Sequence, residues 1–137
     1  MSLDDHASQP TSVVLDTNAL LLPFTSGCRL DEELERLLGP VTWLVPSSVA
    51  WELERLGKGN DNAARAARMA TKLIMRATRV ETKLPGDDGV LDVAKAHNAA
   101  LVTNDRTLQN EAILRGLRVI VARGGGKLSF KGAGSSG

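Results

Sequence analysis

Short apolar runs separated by helical patterns constrain this chain more than any other feature. Val13–Asp16, VTWLVP from Val41, AALVT from Ala99 and RVIVA from Arg118 are each only four to six residues long. They lack the strict polar alternation of a strand with one wet face, so they read as strands buried on both sides. RVETKLP from Arg79 reads as a further strand. Between them lie helical patterns. LDEELERLLG sets Leu30, Leu34, Leu37 and Leu38 on one face and stops at Gly39. PSSVAWELERLGKG starts at a Ser47 or Ser48 cap, turns Val49, Leu53 and Leu56 inward, and ends at Gly57. Residues 60–79 read as one longer helix with Ala66, Ala70, Leu73, Ile74 and Ala77 as its apolar stripe. DDGVLDVAKAHN and DRTLQNEAILRGL supply two more helices.

Strand–helix alternation of this kind implies a parallel sheet of four to five strands covered on both faces. With 137 residues there is material for one domain with a real core. We expect it to run over residues 12–130, flanked by flexible polar tails at 1–11 and 131–137. In such sheets ligands bind beyond the carboxyl ends of the strands, which puts the residues just after each strand under scrutiny.

Composition removes several classes. The single cysteine, Cys28, allows neither an internal disulfide nor a zinc knuckle, and suggests a reducing cytoplasm. No apolar run approaches the roughly 20 residues that span a bilayer, and the polar, acidic start is not a signal peptide. A net charge of +1 is silent about nucleic acid, while two Trp, two Phe and no Tyr make aromatic stacking an unpromising main recognition device.

Carboxylates recur where the strands stop. Asp16 follows the first strand in VVLDTNAL, and Asp105 follows another in VTND. Glu52 lies early in the helix after VTWLVP, and Asp87 and Asp88 open the helix before AALVT. Clustered carboxylates repel one another unless a cation neutralises them. Hard oxygen donors with no Cys and few His favour Mg²⁺ or Mn²⁺ over zinc. An open carboxylate-lined metal site suits phosphoryl chemistry, in which a metal-bound water attacks.

VVLDTNAL, VPSSVAWELERL and GDDGVLDVAKAHNAALVTNDRTLQNEAILRGLRVIVAR together resemble the PIN domain family over residues 12 to 130. The likeness is to archaeal-type PIN ribonucleases, similar both to rRNA-processing PIN nucleases and to the toxin nucleases of toxin–antitoxin pairs. It implies a three-layer α/β/α fold and a Mg²⁺- or Mn²⁺-dependent endoribonuclease that leaves 5′-phosphate and 3′-hydroxyl ends. It implies RNA as substrate, an antitoxin or RNA-processing protein as partner, and a homodimer. Carried over by position, the four acids match Asp16, Glu52, Asp88 and Asp105, as catalytic and metal-holding residues. Asn18 and Thr103 match positions that orient the carboxylates. The pattern departs at Asp87, a second adjacent acid that takes part or substitutes.

Each residue also has a plainer reading. Asp16 and Asp105 sit where helix N-caps belong. Glu52 has Arg55 as an i,i+3 partner. In the Asp87–Asp88 pair we expect Asp87 to cap and Asp88 to bind metal. His6, His97 and Cys28 read as structural or exposed residues.

A basic series, Arg65, Arg68, Lys72, Arg76 and Arg79, falls at spacings that place all five on one face of the long helix, with no acid among them. It reads either as a solvated face or as an RNA-steering patch, with Arg123, Lys127 and Lys131 as a second contact. A non-catalytic RNA-binding or scaffold protein of the same fold is the alternative function. A haloacid-type phosphatase requires Asp-x-Asp where this chain has Asp16-Thr17-Asn18, and a receiver domain requires its paired acids after the first strand.

Overall fold

The computed structural model describes residues 11–132, so the flexible tails expected at either end lie almost entirely outside the described residues. Thr11, assigned to the first tail, instead begins a strand paired with Val41. The described elements are β1 (Thr11–Leu15), α1 (Thr17–Thr25), α2 (Leu30–Leu38), β2 (Val41–Pro46), α3 (Ser47–Leu56) and α4 (Asn62–Leu73). There follow β3 (Thr78–Val80), α5 (Gly86–Ala96), β4 (Ala100–Val102), α6 (Arg106–Leu114), β5 (Val119–Ala122) and β6 (Leu128–Phe130).

The strands form one sheet in the order β3-β2-β1-β4-β5-β6, parallel except for β6. β1 lies inside it, and its consecutive residues Val13, Val14 and Leu15 are all 0% exposed. Successive strand residues point to opposite faces, so helices cover both sides, as the unalternated apolar run required. Leu20, Leu34, Leu53, Leu91 and Leu108, one from each of five helices, are buried in the same core.

Three expectations are corrected. The sheet has six strands, because the Gly-rich tail carries β6. This edge strand is fastened from α2: Glu33 accepts the Leu128 N–H at 2.8 Å, and Arg36 donates to the Leu128 carbonyl at 2.7 Å. The same two side chains pair with each other at 2.7 Å, which draws the Glu33 carboxyl down to about 2.

The helix expected over 60–79 ends at Leu73 and tightens into a 3₁₀ turn at Ile74–Arg76. Thr78, Arg79 and Val80 then pair with Leu44, Val45 and Pro46, so sheet pairing overrides the continuing helical pattern. α3 has no serine cap. Its N-cap is Pro46, and Ser47 turns instead to the Thr82 backbone, accepting its N–H at 3.0 Å.

Candidate metal centre

β1 and β4 are neighbours in register, with Leu15 opposite Val102. The next residue of each strand, Asp16 and Thr103, therefore emerges side by side. From here β1 leads toward β2 and β4 toward β5, on opposite sides. This is the switch point at which open parallel sheets form their crevice.

Asp16 is the N-cap of α1, and its Oδ1 accepts the Ala19 N–H at 2.8 Å. Its Oδ2 accepts a short hydrogen bond from the Thr103 hydroxyl. The residue is only 5% exposed. Burial pushes its pKa up to about 6; the Thr103 and Ala19 bonds oppose the rise, and the charges of Asp87 and Asp105 add to it.

Asp105 caps α6 in the same manner, with Oδ1 accepting the Leu108 N–H at 2.9 Å. Its own N–H donates to the Thr103 hydroxyl at 3.0 Å, so one threonine joins both aspartates. Thr103 is held in turn by buried Gln109, whose Nε2 donates to the Thr103 carbonyl at 3.1 Å. Capping and lining the crevice are thus compatible, because a cap of this kind occupies one carboxylate oxygen.

The opposite wall comes from helices. Glu52, in the middle of α3, accepts the Thr17 hydroxyl at 2.6 Å and lies 3.9 Å from exposed Arg55. Asp87 stands in the first turn of α5, whose N-cap is Pro85 and which has no side-chain cap bond. Of the division expected for the acidic pair, the capping role of Asp87 is corrected. Asp87 does not cap and lines the crevice, whereas Asp88 is not among the lining residues. Adjacent helical residues diverge by about 100° around the axis, and a start at Gly86 turns Asp87 inward. Desolvation raises the Asp87 pKa first, followed by the charges of Asp105, Glu52 and Asp88.

Gly89 brings this helix close. A Cβ there would lie 2.5 Å from the Leu84 carbonyl and 2.8 Å from the Ser48 hydroxyl, one turn before Glu52. Ser48 itself lines the crevice, and its buried hydroxyl has no hydrogen-bond partner among the described residues.

Together these residues enclose a cavity of about 240 Å³ bordered by Asp16, Thr17, Asn18, Glu52, Asp87 and Asp105, with no Lys or Arg in its lining. Asn18 lines it from an exposed position, without a side-chain hydrogen bond among the described residues. No three acidic, His or Cys groups among the described residues converge into a ready-made cage. An open, oxygen-only donor set fits a hydrated Mg²⁺ or Mn²⁺, which keeps several waters and takes one or two carboxylates. It does not fit zinc, which prefers Cys and His.

Sequence reasoning missed Thr17, Ser48 and Gln109. Ser48 was accessible from its i,i+4 relation to Glu52; Gln109 carried no such signal.

The basic series does not form one face. Arg65, Arg68 and Lys72 lie on α4, Arg76 on the 3₁₀ turn and Arg79 on β3. Arg68 closes the end of α3, donating to the carbonyls of Gly57 at 2.6 Å and Gly59 at 3.0 Å. Arg79 pairs with Glu81 at 3.1 Å. His97 is exposed at the C-cap of α5, and Cys28 is a buried free thiol. Among the described residues no helix is long and apolar enough to cross a membrane.

A family model described as a PIN like domain matches residues 13–125. Ribonuclease VapC9 of Archaeoglobus fulgidus is 34% identical over 109 residues, spanning 77% of this chain and 78% of that protein. Among solved structures, the PIN domain endonuclease Utp24 superposes with a TM-score of 0.72 at 23% identity, over 89% of this chain and 92% of that one. VapBC-1 from nontypeable Haemophilus influenzae gives a TM-score of 0.60 at 17% identity, over 80% of this chain and 96% of that one. The structural likenesses speak for the fold, and the extent of the family match decides the membership: this chain belongs to the PIN-like domain family.

Proposed function

We propose that the protein is a Mg²⁺- or Mn²⁺-dependent endoribonuclease whose centre is Asp16, Glu52, Asp87 and Asp105. One observation carries the reading: four carboxylates from four segments line a single cavity that contributes no cation of its own. The 34% identity to a protein named as a ribonuclease supports it. The bound ion would supply positive charge to the scissile phosphate and acidify an attacking water. The chain's own residues aim the ligands. Thr103 and the Ala19 N–H fix both oxygens of Asp16, Leu108 fixes one oxygen of Asp105, and Thr17 fixes one oxygen of Glu52. In this reading Asp87 takes the ligand position expected for Asp88, which stands beside it as a neighbouring charge.

Arg65, Lys72 and Arg76 assist as long-range steering charges, and Arg79 as a phosphate contact. The cellular role is RNA processing, or cleavage restrained by an antitoxin, in the cytoplasm and as a homodimer; a small partner gene beside this one would favour the antitoxin. The experiment is incubation of a mixed RNA pool with Mn²⁺ or with EDTA, beside an Asp16→Asn variant. Cleavage that disappears in EDTA and in the variant, leaving 5′-phosphate ends, supports the reading. Cleavage that persists in both overturns it.

A further inference from the structure

A second depression adjoins the acidic cavity and shares Ser48, Glu52 and Gly86 with it. Its volume is about 480 Å³, and its lining differs in chemistry, with Trp51, Arg55, Arg79, Lys83, Leu84 and Pro85. Trp51 is 63% exposed, although it sits on α3 directly before the site residue Glu52. The Arg55 guanidinium lies 6.0 Å from the centroid of its ring, so one indole face carries a cation while the ring remains open to solvent. Leu84, 43% exposed, adds an apolar edge.

The charges are graded. Arg79 pairs with Glu81 at 3.1 Å, and Arg55 lies 3.9 Å from Glu52, both at the surface. Lys83 has no ion pair among the described residues. Surface pairs of this type contribute little and exchange readily for a phosphate. An exposed indole with three cations around it, continuous with a phosphodiester-cutting centre, matches the requirements of unpaired nucleotides.

We propose that this groove binds single-stranded RNA flanking the scissile phosphate, with one base stacked on Trp51 and the backbone held by Arg79 and Lys83. The proposal rests on the nuclease reading for its direction, and it modifies the expectation that a chain poor in aromatics does not recognise its substrate by stacking. A single well-placed indole suffices for one base. A duplex keeps its bases stacked internally and cannot present one, so the groove selects unpaired strands.

The test is fluorescence anisotropy in EDTA, where cleavage is suppressed, with labelled oligouridine and with the same strand annealed to its complement. Trp51→Ala weakens oligouridine binding about tenfold, while Trp51→Phe retains most of the affinity. Arg79→Ala with Lys83→Ala flattens its salt dependence, and duplex affinity is indifferent to Trp51. Wild-type affinity in Trp51→Ala overturns the proposal. So does a Trp51→Ala protein that passes from dimer to monomer by light scattering with RNA affinity intact, which assigns the groove to a second copy of the chain. The two readings fail separately. Trp51-dependent binding without Mn²⁺-dependent cleavage removes the nuclease and keeps the groove. Cleavage indifferent to Trp51 at all RNA concentrations removes the groove and keeps the nuclease.

Discussion

The two walls of the acidic cavity are built differently. Asp16 and Asp105 follow adjacent central strands, cap helices, and are joined through one threonine hydroxyl. Glu52 and Asp87 stand on helical turns, held by one hydroxyl in the first case and by no side-chain hydrogen bond among the described residues in the second. The strand wall is set by sheet register. The helix wall depends on how closely α5 approaches α3, and Gly89 decides that distance. A cavity of this kind is rigid on one side and adjustable on the other.

The largest expected effect is on the rigid wall. Asp16→Asn keeps the cap, because asparagine accepts the same N–H, but removes the buried charge. Loss of a direct ligand should exceed the roughly 10–100-fold effect of losing an outer partner, so RNA cleavage should fall by at least about a hundredfold. Thr103→Val comes next. It removes the hydroxyl that serves Asp16 and Asp105 together and should lower Mn²⁺ affinity about tenfold, read by calorimetry. It also leaves the Asp105 N–H unpaired, at a cost of about 1–3 kcal/mol in urea unfolding. A Thr103→Val protein with unchanged metal affinity would show that the two aspartates do not depend on their shared hydroxyl.

The rigid wall also leaves a pH signature. Asp16 titrates near 6 in the folded protein against 3.8 for its ordinary value. Between those values the native state holds a proton that the unfolded chain releases. Metal-free stability therefore falls as pH rises through this window, by about 3 kcal/mol in total. The raised Asp87 adds in the same direction. Glu33, lowered to about 2 from 4.5, contributes stability that begins to be lost as pH falls through about 4.5, so it opposes the Asp16 slope at the acid end of this window. Thermal unfolding in EDTA at pH 4 to 7 should show the slope in the wild type and a flatter one in Asp16→Asn. Equal slopes would remove Asp16 as the buried charge.

The smallest effect separates two neighbours on the adjustable wall. Asp87→Asn should weaken Mn²⁺ binding several-fold, and Asp88→Asn should leave it near wild type, as calorimetry on the two variants would show. The opposite order would mean that α5 turns further in solution and presents Asp88.

The same contrast explains what could be read from sequence. Val13, Val14 and Leu15 running into Asp16, and AALVT running into Asn104 and Asp105, mark strand ends through an abrupt change of polarity; the strand wall at the switch point followed from that pattern. Asp87 and Asp88 could not be ordered, because their facing depends on where the helix starts, and the start at Gly86 after Pro85 carries no side-chain cap to mark it. The basic series misled for a related reason. Its spacing remained helical through Arg79, yet pairing of Thr78–Val80 with β2 is a non-local interaction that local periodicity does not contain. β6 was hidden by the glycines before it, and its hold on Glu33 and Arg36 joins residues far apart in the chain.

The central claim is that the carboxylates converge to hold a divalent cation, with Asp16 as the fixed ligand. Titration of Mn²⁺ into the metal-free protein at neutral pH, followed by calorimetry in parallel with Asp16→Asn, tests it most directly. The account predicts saturable binding in the wild type, and at least about a hundredfold weaker binding in the folded variant. Equal binding in the two proteins, or none in the wild type, would contradict it.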